Sequence, residues 1–402
     1  MFISRLGEKM LFCISKIRTY LFCPRKFILE SKDEKVESTI TQKINKSGFL
    51  KNVSISLEIY GLTLYAKNID LKIDDNKITI ISHRRGKKLY QYHYLEAAGY
   101  AFVVSSYTDK KIDVIFKSKY YTSQIPWKKH VDSFKNIIYD FLNKKVPKPI
   151  LNPECKFCKY SLECTNELIK SKDLSLIRGI GKFRLKNLKE KGIEKLDDII
   201  EMKEVVKEIF GEKSDKIIAQ AKAFIYKKII LYNPVKKLKP GIFLDIESYK
   251  NFNFLFGVLY EDRYIPFLSL KREDEKTEFK KLISFLSNKK LPVYHYYNYE
   301  PIQINKLFKK YNLKKTNIEF VDLYKIYHNH IAIPTISYSL KSIAKYLGFN
   351  WRTNLNGNIV VHKFEDFLKT KDDKILDEIL KYNEDDVNAT KLLFNIVNKL
   401  SD

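Results

Sequence analysis

Residues 241–249, GIFLDIESY, decide how the C-terminal part of this chain is read. An apolar run ends in two carboxylates, Asp245 and Glu247, one residue apart. Side chains two positions apart on a β-strand project from the same face, so a strand here sets both carboxylates side by side. Like charges at that spacing repel, and the pair calls for a compensating cation, most simply a divalent metal with hard oxygen ligands. An isolated D-x-E would equally describe two solvated acids at a strand edge. Its surroundings in the chain separate the two readings.

Working outward, FLDIE, FLFGVLY and YIPFLSL read as three strands of a meander. A helix over residues 273–287 follows, then the strand LPVYHYY, a helix over 299–311 and the strand NIEFVDL, with helices making up most of the remainder. Three strands followed by alternating helices and strands predict an α/β fold with a mixed sheet. In the last helix, YNEDDVNATKLL places Tyr382 and Asp386 four apart on one face. The segment YHYYNYEP supplies Glu300 early in its helix. Asp322, at a strand end, reads as the N-cap of the next helix. His295 reads as a core histidine, and Glu384 and Asp385 as solvated or supporting groups.

A strand D-x-E followed by a helical Y-x3-D resembles the DEDDy branch of RNase H-like 3′-5′ exonucleases. The resemblance implies that Asp245, Glu247, Glu300 and Asp386 hold two Mg2+ or Mn2+ ions, about 4 Å apart in such sites. It also implies that Tyr382 positions a water and helps deprotonate it. The second motif of that branch usually supplies Asp; here Glu300, one methylene longer, is still a hard oxygen donor.

The composition fits a polyanionic partner. The 402 residues carry 74 Lys and Arg against 48 Asp and Glu, a formal charge of +26, with 27 Tyr and 26 Phe on which bases could stack. Nucleic acid is the expected partner, although a Lys-rich surface has other origins. No apolar run is long enough for a membrane span and the first residues lack a signal-peptide cleavage pattern, so a cytoplasmic location is expected. Five cysteines in a reducing compartment are read as metal ligands first.

In the first half, Cys23 lies in RTYLFCPRKFILE, and NPECKFCKYSLEC carries Cys155, Cys158 and Cys164. Spacing alone leaves zinc and iron-sulfur open; Cys13, in MLFC, reads as a core residue. The pairing of CPRKF with a distal C-x2-C-x5-C is similar to the iron-sulfur RecB-type nucleases, which implies a [4Fe-4S] cluster on these four cysteines and a PD-(D/E)XK-like α/β module between them. The order of elements agrees. ISLEIYGLTLYAK and NIDLKIDDNKITIISH read as hairpin strands with a turn at residues 74–77, followed by a helix over 89–105, the strand IDVIFKS and an amphipathic helix over 127–144. The nuclease centre does not agree. Asp70 fits the metal-binding Asp, but the E-x-K position falls on Ser82, His83 and Arg84, and the Q-x3-Y position holds Glu96 and Tyr100. The module therefore reads as catalytically degenerate, keeping a basic DNA-facing surface of Arg84, Arg85, Lys87 and Lys88.

Between the halves, LSLIRGIGKFRLKNLKEKGIEKLDDII resembles a helix-hairpin-helix. Gly179 and Gly181 allow the tight turn that leaves backbone N–H groups free for a phosphate, and Arg178, Lys182 and Arg184 add sequence-blind contacts. The expected organisation is a RecB-like module over residues 1–167, a helix-hairpin-helix region over 168–235 and an RNase H-like domain over 240–402. The expected function is a metal-dependent nuclease, a 3′-5′ exonuclease on DNA in repair, recombination or defence, with unidentified helicase or repair partners. A non-catalytic nucleic-acid-binding scaffold is the alternative.

Overall fold

In the computed structural model the chain forms two compact units, Met1–Cys164 and Thr165–Asp402. The structure describes residues 10–32, 36, 46–143, 146–152, 154–155 and 158–401.

The first unit contains β1 (Met10–Cys13), α1 (Ile17–Phe22), α2 (Pro24–Ser31), β2 (Gly48–Ile59), β3 (Leu62–Ile73) and β4 (Lys77–His83), then α3 (Gln91–Ser105), β5 (Lys111–Lys117), β6 (Thr122–Gln124) and α4 (Val131–Asn143). Helix α5 (Ser161–Lys170) runs across the unit boundary. Strand β3 is the centre of the sheet. It pairs antiparallel with β2 over nearly its whole length, parallel with β1 at residues 62–65, and antiparallel with β4 at 70–73. Tyr60 and Gly61 close the β2–β3 hairpin, and both have positive φ, 48° and 75°, the conformation that matches strand twist in a two-residue turn. Strand β4 reaches the parallel strand β5 through α3, and β6 extends the edge.

Helix α3 lies on this sheet through a run of small residues, Ala97, Ala98, Gly99 and Ala101, all buried. Its neighbours are aromatic: Phe12, Tyr20, Phe27, Phe134 and Phe141 form one cluster of edge-to-face and tilted rings. A Cβ on Gly99 would lie 2.7 Å from a Phe134 ring carbon and 2.8 Å from an Ile14 methyl.

The second unit begins with short helices, α6 (Lys182–Glu190), α7 (Leu196–Glu201), α8 (Lys203–Phe210) and α9 (Ser214–Tyr226), and the strand β7 (Ile230–Leu231). The remaining elements are β8 (Ile242–Tyr249), β9 (Phe252–Tyr260), β10 (Arg263–Leu268), α10 (Glu275–Lys289), β11 (Val293–His295), α11 (Tyr299–Lys310), β12 (Phe320–Asp322), α12 (Leu323–His330), β13 (Ile331–Ala332), α13 (Leu340–Tyr346), α14 (Gly357–Thr370) and α15 (Asp373–Ser401). The sheet order is β10-β9-β8-β11-β12, antiparallel across the first three strands and parallel across the last three. The meander and alternating pattern expected from the sequence are therefore present, and the fold is mixed α/β. One sheet face packs α10 and α11 through Phe279, Leu282, Ile304 and Leu307. The other packs α15 through Val387, Leu393 and Val397. The helical region is tied to this domain by the β7–β13 pairing and by Ala219, Ala223 and Ala332 packed together. Among the described residues, no helix is long and apolar enough to cross a membrane.

Gly-to-Ala changes in helix interiors normally stabilise by about 1 kcal/mol. At Gly99 the overpacking against Phe134 and Ile14 reverses the sign. Gly99→Ala is expected to destabilise the protein by about 1–3 kcal/mol, seen as a lower thermal-denaturation midpoint; a raised midpoint would show that the helix sits less tightly on the sheet.

Candidate metal centre

Strand β8 presents Asp245 and Glu247 on one face, as its two-residue period requires. The register with β9 slips just after Glu247, at Ser248, a bulge of the kind that re-aims side chains beside active sites. Helix α15 brings Tyr382 and Asp386 to the same place. Carboxylate oxygens of Asp245, Glu247 and Asp386 lie within 4.8 Å of one another, the one group of three potential ligands that close among the described residues. Glu300, in the first turn of α11, stands outside that trio yet is near enough to raise the pKa of both Asp245 and Glu247.

The loop before Glu300 is shaped for this placement. Tyr297 has φ +74°, uncommon for a bulky residue, and its N–H donates to Asp322 Oδ1 at 2.9 Å. The same oxygen accepts from Tyr324 N at 2.9 Å, so Asp322 caps α12 as expected. His295 is buried with its Nδ1 3.5 Å from Glu300 Oε2, too far for a hydrogen bond. Both atoms are buried without a hydrogen-bond partner. Glu300 thus faces His295 on one side and the acidic cluster on the other, and hard carboxylate oxygens gathered in this way suit a divalent metal.

The electrostatics agree. Burial, and then neighbouring carboxylates, push Asp245 and Glu247 well above the usual carboxylate range. Burial raises Glu300, and raises Asp386 to about 6 against the lowering effect of bonds from Trp351 and Tyr382. Burial, and then Asp386, Glu247 and Asp245, raise the Tyr382 phenol. The Tyr382 hydroxyl, bonded to Asp386, stands beside the carboxylates where it can orient a water.

Several supporting residues were not singled out in the sequence. Asn383, fully buried, donates from Nδ2 to Asp245 Oδ2 at 2.6 Å and accepts from Tyr264 Oη at 2.8 Å. It fits because Gly257, opposite Asp245 in the register, has no side chain: a Cβ there would lie 1.6 Å from Asn383 Oδ1. Trp351 Nε1 donates to Asp386 Oδ1 at 2.7 Å. Arg352 binds Asp385 through its backbone N–H and its Nε, each at 2.7 Å, and Glu384 through Nη2 at 2.7 Å. Asp385 is therefore a buried support for α15.

The other expected site residues divide. Arg85 is exposed, but Arg84 is turned inward, with Nη2 2.6 Å from Glu96 Oε1 and its guanidinium over the Phe116 ring at 4.4 Å. Tyr100 donates to the same Glu96 oxygen at 2.7 Å. Arg84 is thus half-buried against this carboxylate, whereas Arg85 faces solvent. Asp70 accepts from Asn52 N at 2.8 Å and pairs with His83 Nε2 at 2.9 Å. In the helical region Gly179 takes φ +90°, and Gly181 is the N-cap of α6. Arg184 is exposed, its Nη1 donating to Gly179 O at 2.9 Å. Arg178 lies over the Tyr338 ring at 4.2 Å and is likewise drawn from the surface. Lys182 opens α6, and its side chain lies outside the described residues. Cys23 caps α2, accepting from Lys26 N at 3.4 Å. Burial raises the Cys155 and Cys164 thiols, and both also feel Cys23 and Cys158. Cys13 is buried in the core.

A strand-borne D-x-E facing a helix-borne Y-x3-D, on a sheet of three antiparallel and two further parallel strands, defines an RNase H-like domain. Residues 242–398 match the family model described as RNase_H superfamily, and nuclease-type activity is what such a domain suggests. No curated protein matches the chain. Among solved structures, that of SSO0001 aligns at 14% identity over 41% of this chain and 91% of its own, with a TM-score of 0.22.

Carboxylates whose pKa is raised by folding weaken the metal-free fold when ionised. The penalty is absent below about pH 4, the unfolded carboxylate range, and grows as pH rises through the raised values, Asp386's being about 6. Mn2+ removes the repulsion and competes with protons. The Mn2+-induced rise in melting temperature is therefore expected to be larger at pH 8 than at pH 5.5, measured by differential scanning fluorimetry; an equal rise at both would argue against metal binding by these acids.

Proposed function

We propose that this chain is a metal-dependent 3′-5′ exonuclease acting on DNA, with its chemistry in the C-terminal domain. The observation that carries this reading is the convergence of Asp245, Glu247 and Asp386 within 4.8 Å. Glu300, buried and close enough to act on Asp245 and Glu247, is the fourth ligand in this reading. Bound divalent cations supply water activation and stabilise the leaving 3′ oxygen. The chain's own residues position those events: Asn383 and Trp351 fix the two Asp carboxylates by hydrogen bonds, and the Tyr382 hydroxyl orients the attacking water. DNA as substrate is supported by the charge of +26 and by the turn at Gly179, where Arg184 and the 76%-exposed Phe183 offer a phosphate and a base contact.

On an end-labelled oligonucleotide with Mg2+ or Mn2+, wild-type protein should shorten the strand from its 3′ end. Asp245→Ala should lower the rate at least about 100-fold, in line with loss of a principal electrostatic catalyst, with the melting temperature kept. DNA binding without cleavage by either protein would favour the scaffold alternative instead.

The N-terminal unit serves as a nucleic-acid clamp without chemistry, because Arg84 occupies the carboxylate of Glu96 that a metal would need. Cys23, Cys155, Cys158 and Cys164 hold a [4Fe-4S] cluster in this reading, which rests on the resemblance carried by CPRKF and C-x2-C-x5-C; among the described residues these thiols are not a group brought to metal-ligating distance. Anaerobically purified protein should be brown and contain roughly four iron and four sulfide per chain; colourless protein with stoichiometric zinc would refute the assignment.

A further inference from the structure

Lys341 lies in the first turn of α13. Its Nζ is 4.8 Å from the Tyr382 ring centroid and 5.4 Å from that of Trp351, and it donates to the carbonyl of Leu355. Tyr382 and Trp351 are the two groups bonded to Asp386. Both Glu247 and Asp386 feel the Lys341 charge favourably.

This is a costly place for an ammonium. Burial disfavours its charge, and the first turn of a helix carries the positive end of the peptide dipoles. The neighbouring carboxylates of Asp386, Glu247 and Asp385 offset part of these costs, to which Lys345 adds, and burial still prevails. Metal binding removes that offset. Four carboxylates and two divalent cations sum to zero, leaving Lys341 as one uncompensated positive charge against the aromatic wall. A phosphodiester brings one negative charge, which closes the balance.

We propose that Lys341 is the substrate-phosphate anchor of this site, donating to a non-bridging oxygen of the scissile phosphodiester. It rests on the nuclease reading above and adds to it a residue outside the carboxylate set. A direct contact with the reacting phosphate makes Lys341 a catalytic residue. Its charge opposes metal entry and favours the substrate, so its removal moves the two properties in opposite directions, which loss of packing does not do.

The test compares full-length wild type, Lys341→Met and Lys341→Arg by Mn2+ titration followed by electron paramagnetic resonance, and by 3′-end degradation of single-stranded DNA at saturating Mn2+. Lys341→Met is expected to bind Mn2+ at least about 10-fold more tightly, because a like charge near the ion is removed, while its turnover falls about 100-fold. Lys341→Arg, which keeps the charge, should retain wild-type Mn2+ affinity and most of the turnover, and it also reports whether the site tolerates substitution. Weaker Mn2+ binding in Lys341→Met, or turnover within twofold of wild type, overturns the anchor while leaving the nuclease reading standing. Wild-type protein that neither binds Mn2+ nor degrades DNA overturns both.

Discussion

Mutual repulsion among buried carboxylates is the constraint on which the C-terminal domain is organised. Asp245, Glu247, Glu300 and Asp386 come from a strand and two helices, and each is raised in pKa by burial. A sheet and helices that merely packed well would let such groups separate into solvent. Here they are held by specific neighbours: Asn383 on Asp245, Trp351 on Asp386, and Arg352 on the adjoining Asp385. The fold carries the electrostatic cost of holding these carboxylates together, a preorganisation that suits the binding of a divalent cation.

The N-terminal unit meets the same kind of problem differently. Glu96 is buried, and Arg84 and Tyr100 satisfy it directly. An internal guanidinium leaves no deficit of positive charge for a metal to fill. Asp70 is similarly occupied by His83 and by the backbone of Asn52. One unit thus leaves its carboxylates short of cations, and the other neutralises them with its own side chains.

What the sequence disclosed follows from the range of each signal. The D-x-E and Y-x3-D pairs are visible because strand and helix periods act over two and four residues. Glu300 needed only its place after a strand. Asn383 lies within the same readable stretch as Tyr382, yet its role depends on the absence of a side chain at Gly257 and on the hydroxyl of Tyr264, more than a hundred residues away. Trp351 and Lys341 fall in a region that reads only as helical. Arg84 and Arg178 look like solvent-facing cations from their neighbours; the partners that draw them inward, Glu96 and the Tyr338 ring, are set by tertiary packing.

Those inward-turned residues also connect parts of the second unit. Arg178, next to the Gly179 turn, stacks on Tyr338, and its backbone N–H donates to Gln220 of α9 at 3.0 Å. Tyr338 is itself fixed, its hydroxyl bonded to Ile333 N and Ile331 O at 3.0 Å each. Ser339 follows as the N-cap of α13, and Lys341 two residues later faces the carboxylates. A rigid path of a few residues therefore runs from the glycine turn to the metal centre. A cation that gives up solvent to stack on this ring contributes less to non-specific DNA affinity than its charge suggests, and more to the placement of the turn. In the nuclease reading proposed above, a nucleic-acid strand bound at the Gly179 turn would be held at a fixed distance from Asp245, a constraint that a flexible linker could not impose.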